Sequence, residues 1–139
     1  MKALTIHQPW AHLIIHGIKR VENRAWQTNY RGPLLIHAGV SRVSLGDAGE
    51  HEPPEADLVF GALLGTVRLL DCVRLADAQN LFDCPEWLDS PFTEGPYCLL
   101  LTCPLPLRVP IPYRGRQRIF DVPDEFVRDP AGYLLGGFN

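Results

Sequence analysis

The 139-residue sequence lacks the spaced cysteines and histidines that mark zinc modules and redox proteins. Its four cysteines are Cys72, Cys84, Cys98 and Cys103; they form no C-x-x-C pair, and no histidine pair has zinc-finger spacing. His12 and His16 lie four residues apart, but there is no H-E-x-x-H pattern and no third ligand at a clear spacing. We therefore expect no metal site and no cofactor.

A signal peptide and a membrane-spanning hydrophobic run are also missing. The most apolar stretch, residues 58–70, is too short to cross a bilayer and contains Arg68. These absences predict a cytoplasmic protein whose cysteines are reduced and behave as small hydrophobic residues. No membrane partner is expected, and a monomer is favoured.

Neither an excess of basic residues nor a nucleophile motif is present. The net charge is −3, whereas a protein that binds nucleic acid through its whole surface usually carries a basic excess. The charge is uneven, however: residues 104–120 contain four Arg and no acid, and residues 47–57 contain five acids and no Lys or Arg. A local basic face on an acidic body remains open. No G-x-S-x-G motif exists, so a serine hydrolase of that kind is excluded.

The elements that are present predict a small, mostly β (α+β) domain. Hydrophobic and charged fractions of 46% and 21% fit one soluble domain over residues 1–139, and 13 prolines with 12 glycines argue against a helical bundle. We predict about six short strands and two or three short helices, forming a barrel with helices at its ends. The strands are placed at 2–6, 20–26, 33–39, 59–75 and 97–103, with an edge strand or extended rim over 104–120.

Two helices and two irregular segments complete this prediction. Residues 9–16 have apolar positions at helical spacing and a stop at Gly17, and residues 76–92 are predicted as a short helix that ends near Pro85, followed by a loop. Residues 41–57 are predicted to form an acidic loop insertion with a helical turn, and residues 124–139 a C-terminal tail that starts with one. Gly61 and Gly65 lie in the strand predicted over 59–75, where interior glycines indicate bulges or bends.

The segment GIKRVENRAW, residues 17–26, concentrates charge between an apolar helix and an apolar strand. If residues 20–26 are extended, Glu22 and Arg24 point to the same face, and Lys19 lies just before them. Two interpretations are open. The three charges form a surface ion-pair network worth roughly 0–1 kcal/mol per pair, or they line a pocket that binds a polar ligand.

Aromatic and polar residues surround this triplet and are further candidates. Trp10 and Trp26 could stack on an unpaired base or pack in the core, with Trp10 favoured for the core and Trp26 for the site, and Gln8 could add an amide contact. Arg31 adds to the local basic charge, whereas His37, inside an apolar strand, is predicted to be a core histidine with satisfied hydrogen bonds. If the chain is an enzyme, Lys19 and Glu22 are the reactive pair, acting near an amide or a phosphodiester.

A second basic segment, YRGRQRIF, carries arginines at alternate positions. Arg114, Arg116 and Arg118 would share one face of an extended chain. Such a face suits contact with a phosphate backbone. The alternative is a charged edge that prevents pairing with another strand.

The residues Gly17, Lys19, Glu22 and Arg24 match G-x-K-x-x-E-x-R, and the chain thereby resembles ASCH domains of the PUA-like superfamily. The preceding Gln8-Pro9-Trp10, the following RGPLLIHA, and later the segments GALLGTVRLLDCV, SPFTEGPYCLLL and PLRVPIPYRGRQRIFDVP are also similar to the family. The resemblance extends over roughly residues 1–123. It implies a PUA-type β-barrel with a cleft lined by the motif, and RNA or a nucleotide-like molecule as the ligand.

The resemblance also implies an alternative, because some relatives are enzymes. One group hydrolyses the acetamide of N4-acetylcytidine with a Lys, a Thr and a Glu, and another has been described as a ribonuclease. Lys19 matches the Lys of the first group, but Glu22 stands where that group has Thr. The third residue would be Glu86 or Glu94. We therefore expect an RNA- or nucleotide-binding domain, with a nucleoside hydrolase or ribonuclease as the alternative.

Overall fold

The computed structural model describes residues 1–78 and 85–131, and these form a mostly β fold. The strands are β1 (Lys2–Ile6), β2 (Val21–Arg24), β3 (Gly32–Ala38), β4 (Ala62–Arg74), β5 (Tyr97–Pro112) and β6 (Ile119–Asp121). The helices are α1 (Trp10–Ile15) and α2 (Pro85–Leu88), and single 3-10 turns lie at Gly49–His51, Glu55–Asp57, Leu75–Asp77 and Asp124–Phe126. The predicted fold class, strand number and first helix are thus confirmed.

The strands form one sheet in the order β2-β5-β4-β3-β1-β6, in which only β1 and β3 pair in parallel. The sheet curls into a half-barrel. Arg24 on the edge strand β2 donates to the carbonyl of Thr5 on β1 over 2.9 Å, although three strands separate β2 from β1 in the sheet order. The curl therefore brings the charged end of β2 against the end of β1.

Helix α1 packs against the inner face of this curl. Its Ala11, Ile14 and Ile15 are at most 2% exposed and belong to the same apolar cluster as residues of β1, β3, β4 and β5. Burying three such side chains stabilises the fold by several kcal/mol at about 25 cal/mol per Å². The C-terminal end of α1 is thereby fixed beside β2, where the charged residues begin.

Gly65 allows β4 and β5 to approach closely at a bulge. Its φ is +156°, the β4–β5 register shifts between Leu63 and Gly65, and an added Cβ would lie 2.2 Å from the carbonyl oxygen of Leu105. The predicted bulge is therefore present, and it depends on the missing side chain.

We expect Gly65→Ala to lower the free energy of unfolding by about 2–3 kcal/mol, because backbone atoms must move to admit the methyl group. The matched control is Gly46→Ala. Gly46 also has a positive φ, +90°, but nothing lies within 4 Å of an added Cβ, so only the backbone term of about 1 kcal/mol remains. Urea denaturation measures both. Equal losses in the two variants would contradict the close approach.

Two predicted segments differ in detail from the structure. In the segment predicted as a helix over 76–92, the described residues form a 3-10 turn at Leu75–Asp77 and a helix at Pro85–Leu88, whereas residues 79–84 lie outside the described part. Helical structure therefore includes Pro85 and continues to Leu88, where a loop was predicted. Residues 113–118 form the β5–β6 loop and not an extended strand.

The proline-rich half of β5 is an open edge, as predicted. Strand β2 pairs only with Tyr97–Leu100, so beyond this point β5 is paired with β4 on one side. Missing N–H groups at Pro104, Pro106, Pro110 and Pro112 are tolerated on such an edge. Cys72, Cys98 and Cys103 are free thiols, whereas Cys84 and the tail beyond residue 131 are outside the described residues. No helix in the described residues is long and apolar enough to cross a membrane.

Candidate functional site

The end of α1 places Lys19 through its backbone. Gly17, with φ +78°, follows the helix, the N–H of Gly17 donates to Ile14 O, and the N–H of Ile18 donates to Leu13 O. This is the Schellman arrangement, in which a residue in the left-handed region ends the helix and reverses the chain. The N–H of Lys19 also donates to Leu13 O over 3.0 Å. Lys19 thus starts its path towards β2 from a fixed position.

Strand alternation and the curl then bring the three predicted charges together. Lys19 Nζ lies 2.7 Å from Glu22 Oε1, and Arg24 Nη2 lies 3.0 Å from Glu22 Oε2. Lys19 and Glu22 are 4% and 6% exposed, and the Arg24 side chain is 22% exposed. This Lys19–Glu22–Arg24 triad is a buried network rather than the surface ion pairs of the alternative interpretation.

The carboxylate of Glu22 is held ionised by its neighbours. Burial by itself would raise the pKa of Glu22, but the charges of Lys19 and Arg24 and the hydrogen bonds from both outweigh burial, so this pKa lies below its usual value. The N–H of Asn23 also donates to Glu22 Oε1, over 3.2 Å. Among the described residues, Glu22 is the only acceptor that Lys19 Nζ reaches.

The lowered pKa of Glu22 predicts a pH-dependent contribution to stability. A carboxylate whose pKa is lower in the folded than in the unfolded state stabilises the fold above its unfolded pKa, near 4.5, and loses this contribution as the pH falls through the folded value. We expect the stability difference between wild type and Glu22→Gln to shrink as the pH falls from 6 to 3. Urea denaturation across this range measures it, and a pH-independent difference would contradict the assignment.

The triad forms the floor of a cleft of about 790 Å³. The walls come from five parts of the chain: the end of β1, helix α1, strand β2 with the residue after it, the loop at 47–51 and the loop at 91–94. Their lining residues are Thr5, Ile6, His7, Trp10, Asn23, Ala25, Asp47, Ala48, Glu50, His51, Pro91, Phe92 and Glu94. A volume of this size accommodates a small organic ligand.

Aromatic rings form one side of this cleft. The Trp10 and Phe92 rings meet edge to face at 6.1 Å between centroids, and Phe92 meets the ring of His51 at 5.2 Å. Lys19 Nζ lies 5.1 Å from the centre of the Trp10 ring, a cation–π distance. The cleft therefore combines flat apolar surfaces with a floor of hydrogen-bond donors and a carboxylate.

Asn23 holds the 91–94 loop against the floor. Its Nδ2 donates to Phe92 O over 2.8 Å, and its Oδ1 accepts from the N–H groups of Glu94 and Gly95 at 2.9 Å each. Asn23 also lines the cleft itself. It positions Phe92 and Glu94 in the cleft wall.

The remaining candidate residues are distributed unevenly around the cleft. Gln8 is fully buried, and its amide is occupied by Val59 O and by the N–H of His12. Arg31 is away from the cleft, where it binds Thr28 O, Tyr30 O and Asp71. The side chains of Gln8 and Arg31 thus hold neighbouring parts of the fold together, and neither is proposed to contact the ligand.

One arginine of the β5–β6 loop lies near the cleft without lining it. The guanidinium carbons of Arg24, which lines the cleft, and of Arg118 are 5.8 and 5.5 Å from the centre of the Trp26 ring. Arg114 and Arg116 are exposed in the same loop but do not line the cleft. Of the two alternatives for a third reactive residue, Glu94 lines the cleft, whereas Glu86 lies 3.8 Å from Arg20 outside it.

His37 is the buried core histidine that the sequence predicts. It is 1% exposed, its Nε2 lies 2.6 Å from Tyr113 O, and its Nδ1 lies 3.1 Å from Thr5 Oγ1. Burial lowers the pKa of His37 more than the bond to Tyr113 O raises it, so the ring is neutral at physiological pH. A neutral ring that donates from Nε2 accepts the Thr5 hydroxyl at Nδ1, which ties the β5–β6 loop to β1.

Sequence reasoning missed two walls of the cleft. The 47–51 segment was expected only as an exposed acidic loop, yet Asp47, Glu50 and His51 line the site. Phe92 and Asn23 were also missed, although Asn23 lies inside the motif between Glu22 and Arg24. The sequence offered one signal for Asn23, its amide side chain within the predicted strand. An amide can form hydrogen bonds with several backbone groups of a neighbouring loop at once.

Comparison with known proteins gives the family of the chain. A model of the ASCH domain family matches residues 4–95, a range that contains the triad. The chain is 33% identical over 129 residues to human activating signal cointegrator 1 and 41% identical over 80 residues to the mouse protein. These matches take in 84% and 50% of this chain but 21% and 14% of those proteins, so the chain spans about a fifth or less of their length.

Solved structures show the same fold. The crystal structure of the ASCH protein from Zymomonas mobilis superposes with a TM-score of 0.55 at 16% identity, over 90% of this chain and 89% of that one. A point mutant of the same protein gives a TM-score of 0.55 at 17% identity, over 90% and 91%. From the family model, which matches more than half of its residues, the chain belongs to the ASCH domain family.

Proposed function

We propose that this domain binds RNA or a nucleotide-like ligand, with one base held in the cleft above the Lys19–Glu22–Arg24 triad. The observation that carries the proposal is a network of three charged side chains at the floor of an open cleft, of which Lys19 and Glu22 are buried and Arg24 is 22% exposed. Removing charges from water is costly, and an apolar cluster would pack this position more simply. A buried charged network that faces a cleft is typical of a binding site for a polar ligand.

The chemistry of the cleft suits a base. Lys19 and Arg24 are donors for ring and carbonyl acceptors, and Glu22 accepts from an amino group. The rings of Trp10, Phe92 and His51 offer flat surfaces beside these groups. Recognition of unpaired bases combines such stacking with hydrogen bonds to the base edges.

The hydrolase alternative has less support from the geometry. A lysine that acts as base or nucleophile must present a free amine, whereas Lys19 Nζ donates to the ionised carboxylate of Glu22 over 2.7 Å. Binding is therefore the stronger proposal, and product formation from N4-acetylcytidine or RNA is a separate readout in the same experiment.

The experiment compares wild type with Lys19→Met in titrations with the common ribonucleosides and a short single-stranded RNA. We expect binding by wild type, at least about tenfold weaker binding by the variant because a charged donor is lost, and no product. Lys2→Met is the matched control, since Lys2 is the other lysine of the chain and pairs with Asp121 on the exposed side of β1. Equal affinity of wild type and Lys19→Met for every probe would contradict the proposal.

A further inference from the structure

The mouth of the cleft is acidic, although its floor carries two cations. Asp47, Glu50 and Glu94 line the mouth from two loops and are exposed; we name these three residues the acidic rim. On the floor, Lys19 and Arg24 face one carboxylate, so the triad has a net charge of +1. Four carboxylates against two cations give the acidic and basic side chains of the lining a net charge of −2.

This distribution works against a phosphate inside the cleft. A phosphate entering the mouth would pass three exposed carboxylates, and like charges repel over the short distances of a cleft. The cations on the floor give limited compensation because both already donate to Glu22. A neutral base with donor groups meets no such repulsion.

Positive charge is concentrated just outside the cleft instead. The Trp26 ring is within cation–π distance of both Arg24, which belongs to the floor, and Arg118, which is exposed in the β5–β6 loop. We name Trp26 and Arg118 the arginine ledge. Arg114 and Arg116 in the same loop are also exposed, so the ledge continues into a basic surface.

The loop that carries the ledge is held in place beside the cleft. His37 binds Tyr113 O over 2.6 Å, and a Cβ added to Gly115 would lie 2.6 Å from Thr5 Oγ1 and 2.8 Å from His37 Cε1. The loop backbone therefore packs directly on Thr5, which also lines the cleft. The backbone of this loop is thus anchored to β1 and β3 beside the cleft.

We propose that the ligand enters base first and that its phosphate stays outside the acidic rim, on the arginine ledge. This inference rests on the proposed function of the cleft and adds its orientation and the phosphate contact. The preferred ligand is therefore a base with a phosphate attached through its sugar, as in a nucleotide unit of RNA, bound with the phosphate towards the β5–β6 loop.

The test compares adenosine, cytidine, guanosine and uridine with their 5′-monophosphates and with a short single-stranded RNA. We expect Arg118→Gln to weaken binding of the phosphorylated probes about threefold to tenfold, the usual effect of one exposed charged contact, and to leave nucleoside affinity unchanged. Arg108→Gln is the control, because Arg108 is exposed on β5 outside the cleft lining and the substitution removes the same charge.

Two further variants separate structure from charge. Arg118 has a φ of +56°, a conformation that glycine adopts without strain, so Arg118→Gly should remove the guanidinium and leave the loop folded. Combined Asp47→Asn and Glu94→Gln should strengthen binding of the monophosphates about threefold relative to the nucleosides. Combined Asp89→Asn and Glu125→Gln, which neutralises two exposed acids outside the cleft lining, is the charge control.

The outcomes are distinguishable. If nucleosides bind but Arg118→Gln and Arg118→Gly weaken them as much as the phosphorylated probes, Arg118 supports the cleft and the inference is wrong. If these variants change no affinity, the phosphate lies elsewhere and the inference is also wrong. If no probe binds to wild type, the proposed function fails and the inference fails with it.

Discussion

Replacing Glu22 with alanine is expected to lower the free energy of unfolding by about 3–5 kcal/mol, the usual effect of removing one partner from a buried ion pair. Glu22 is 6% exposed and accepts from both Lys19 and Arg24. Without its carboxylate, Lys19 would remain buried as an uncompensated cation. Because the free energy of unfolding of a small domain is only about 5–15 kcal/mol, this single change removes a large part of the stability of the domain.

The measurement is chemical denaturation of Glu22→Ala, Lys19→Met and the double variant. Removing both partners should cost less than the sum of the single changes, because neither charge is then left alone. Arg24 remains bonded to Thr5 O and is partly exposed, so it tolerates the loss. A loss below about 1 kcal/mol in Glu22→Ala would instead indicate an ordinary surface ion pair.

Replacing Trp10 with leucine is expected to weaken binding of a single-stranded RNA roughly 5- to 150-fold, corresponding to about 1–3 kcal/mol for one base–aromatic stack. Trp10 lines the cleft and is only partly buried, with its inner side against the core. Leucine keeps most of that apolar packing and removes the flat ring surface. The effect should therefore appear in affinity more than in stability.

Trp87→Leu is the matched control for this change. Trp87 lies on α2, packs with a different apolar cluster and donates its indole N–H to Leu101 O. It does not line the cleft. Fluorescence anisotropy with a labelled RNA gives both affinities, and a denaturation curve for each variant confirms that it is folded. Equal losses of affinity in the two variants would place the bound RNA outside the cleft.

The local part of the site could be predicted from the sequence, because it depends on neighbours in the chain. Helix α1, its stop at Gly17 and the alternation that pairs Glu22 with Arg24 all follow from spacing. The burial of Lys19 could not be predicted in this way. It results from the curl that brings β2 against β1, which involves residues 19 positions apart, Arg24 and Thr5.

The cleft walls depend on contacts that are even more distant in sequence. Asn23 bonds with Phe92 and Glu94 across separations of 69 and 71 residues, and no local pattern indicates which loop an amide will contact. Acidic charge at 47–51 predicted an exposed loop, but not that the loop would form the rim. The alternating arginines of 113–118 predicted an extended strand. In the structure these residues form a loop, in which Gly115 packs closely on Thr5.

The central claim is that the cleft above the triad is the ligand site, and the indole N–H signals of the three tryptophans test it directly. In a titration with single-stranded RNA followed by ¹H–¹⁵N correlation spectra, we expect the Trp10 signal to shift most. Trp26, beside the cleft, should shift less, and Trp87, bonded to Leu101 O, should stay unchanged. Trp10→Leu and Trp87→Leu assign the signals. A Trp87 shift with a stationary Trp10 signal, or no shift at any RNA concentration, would contradict the account.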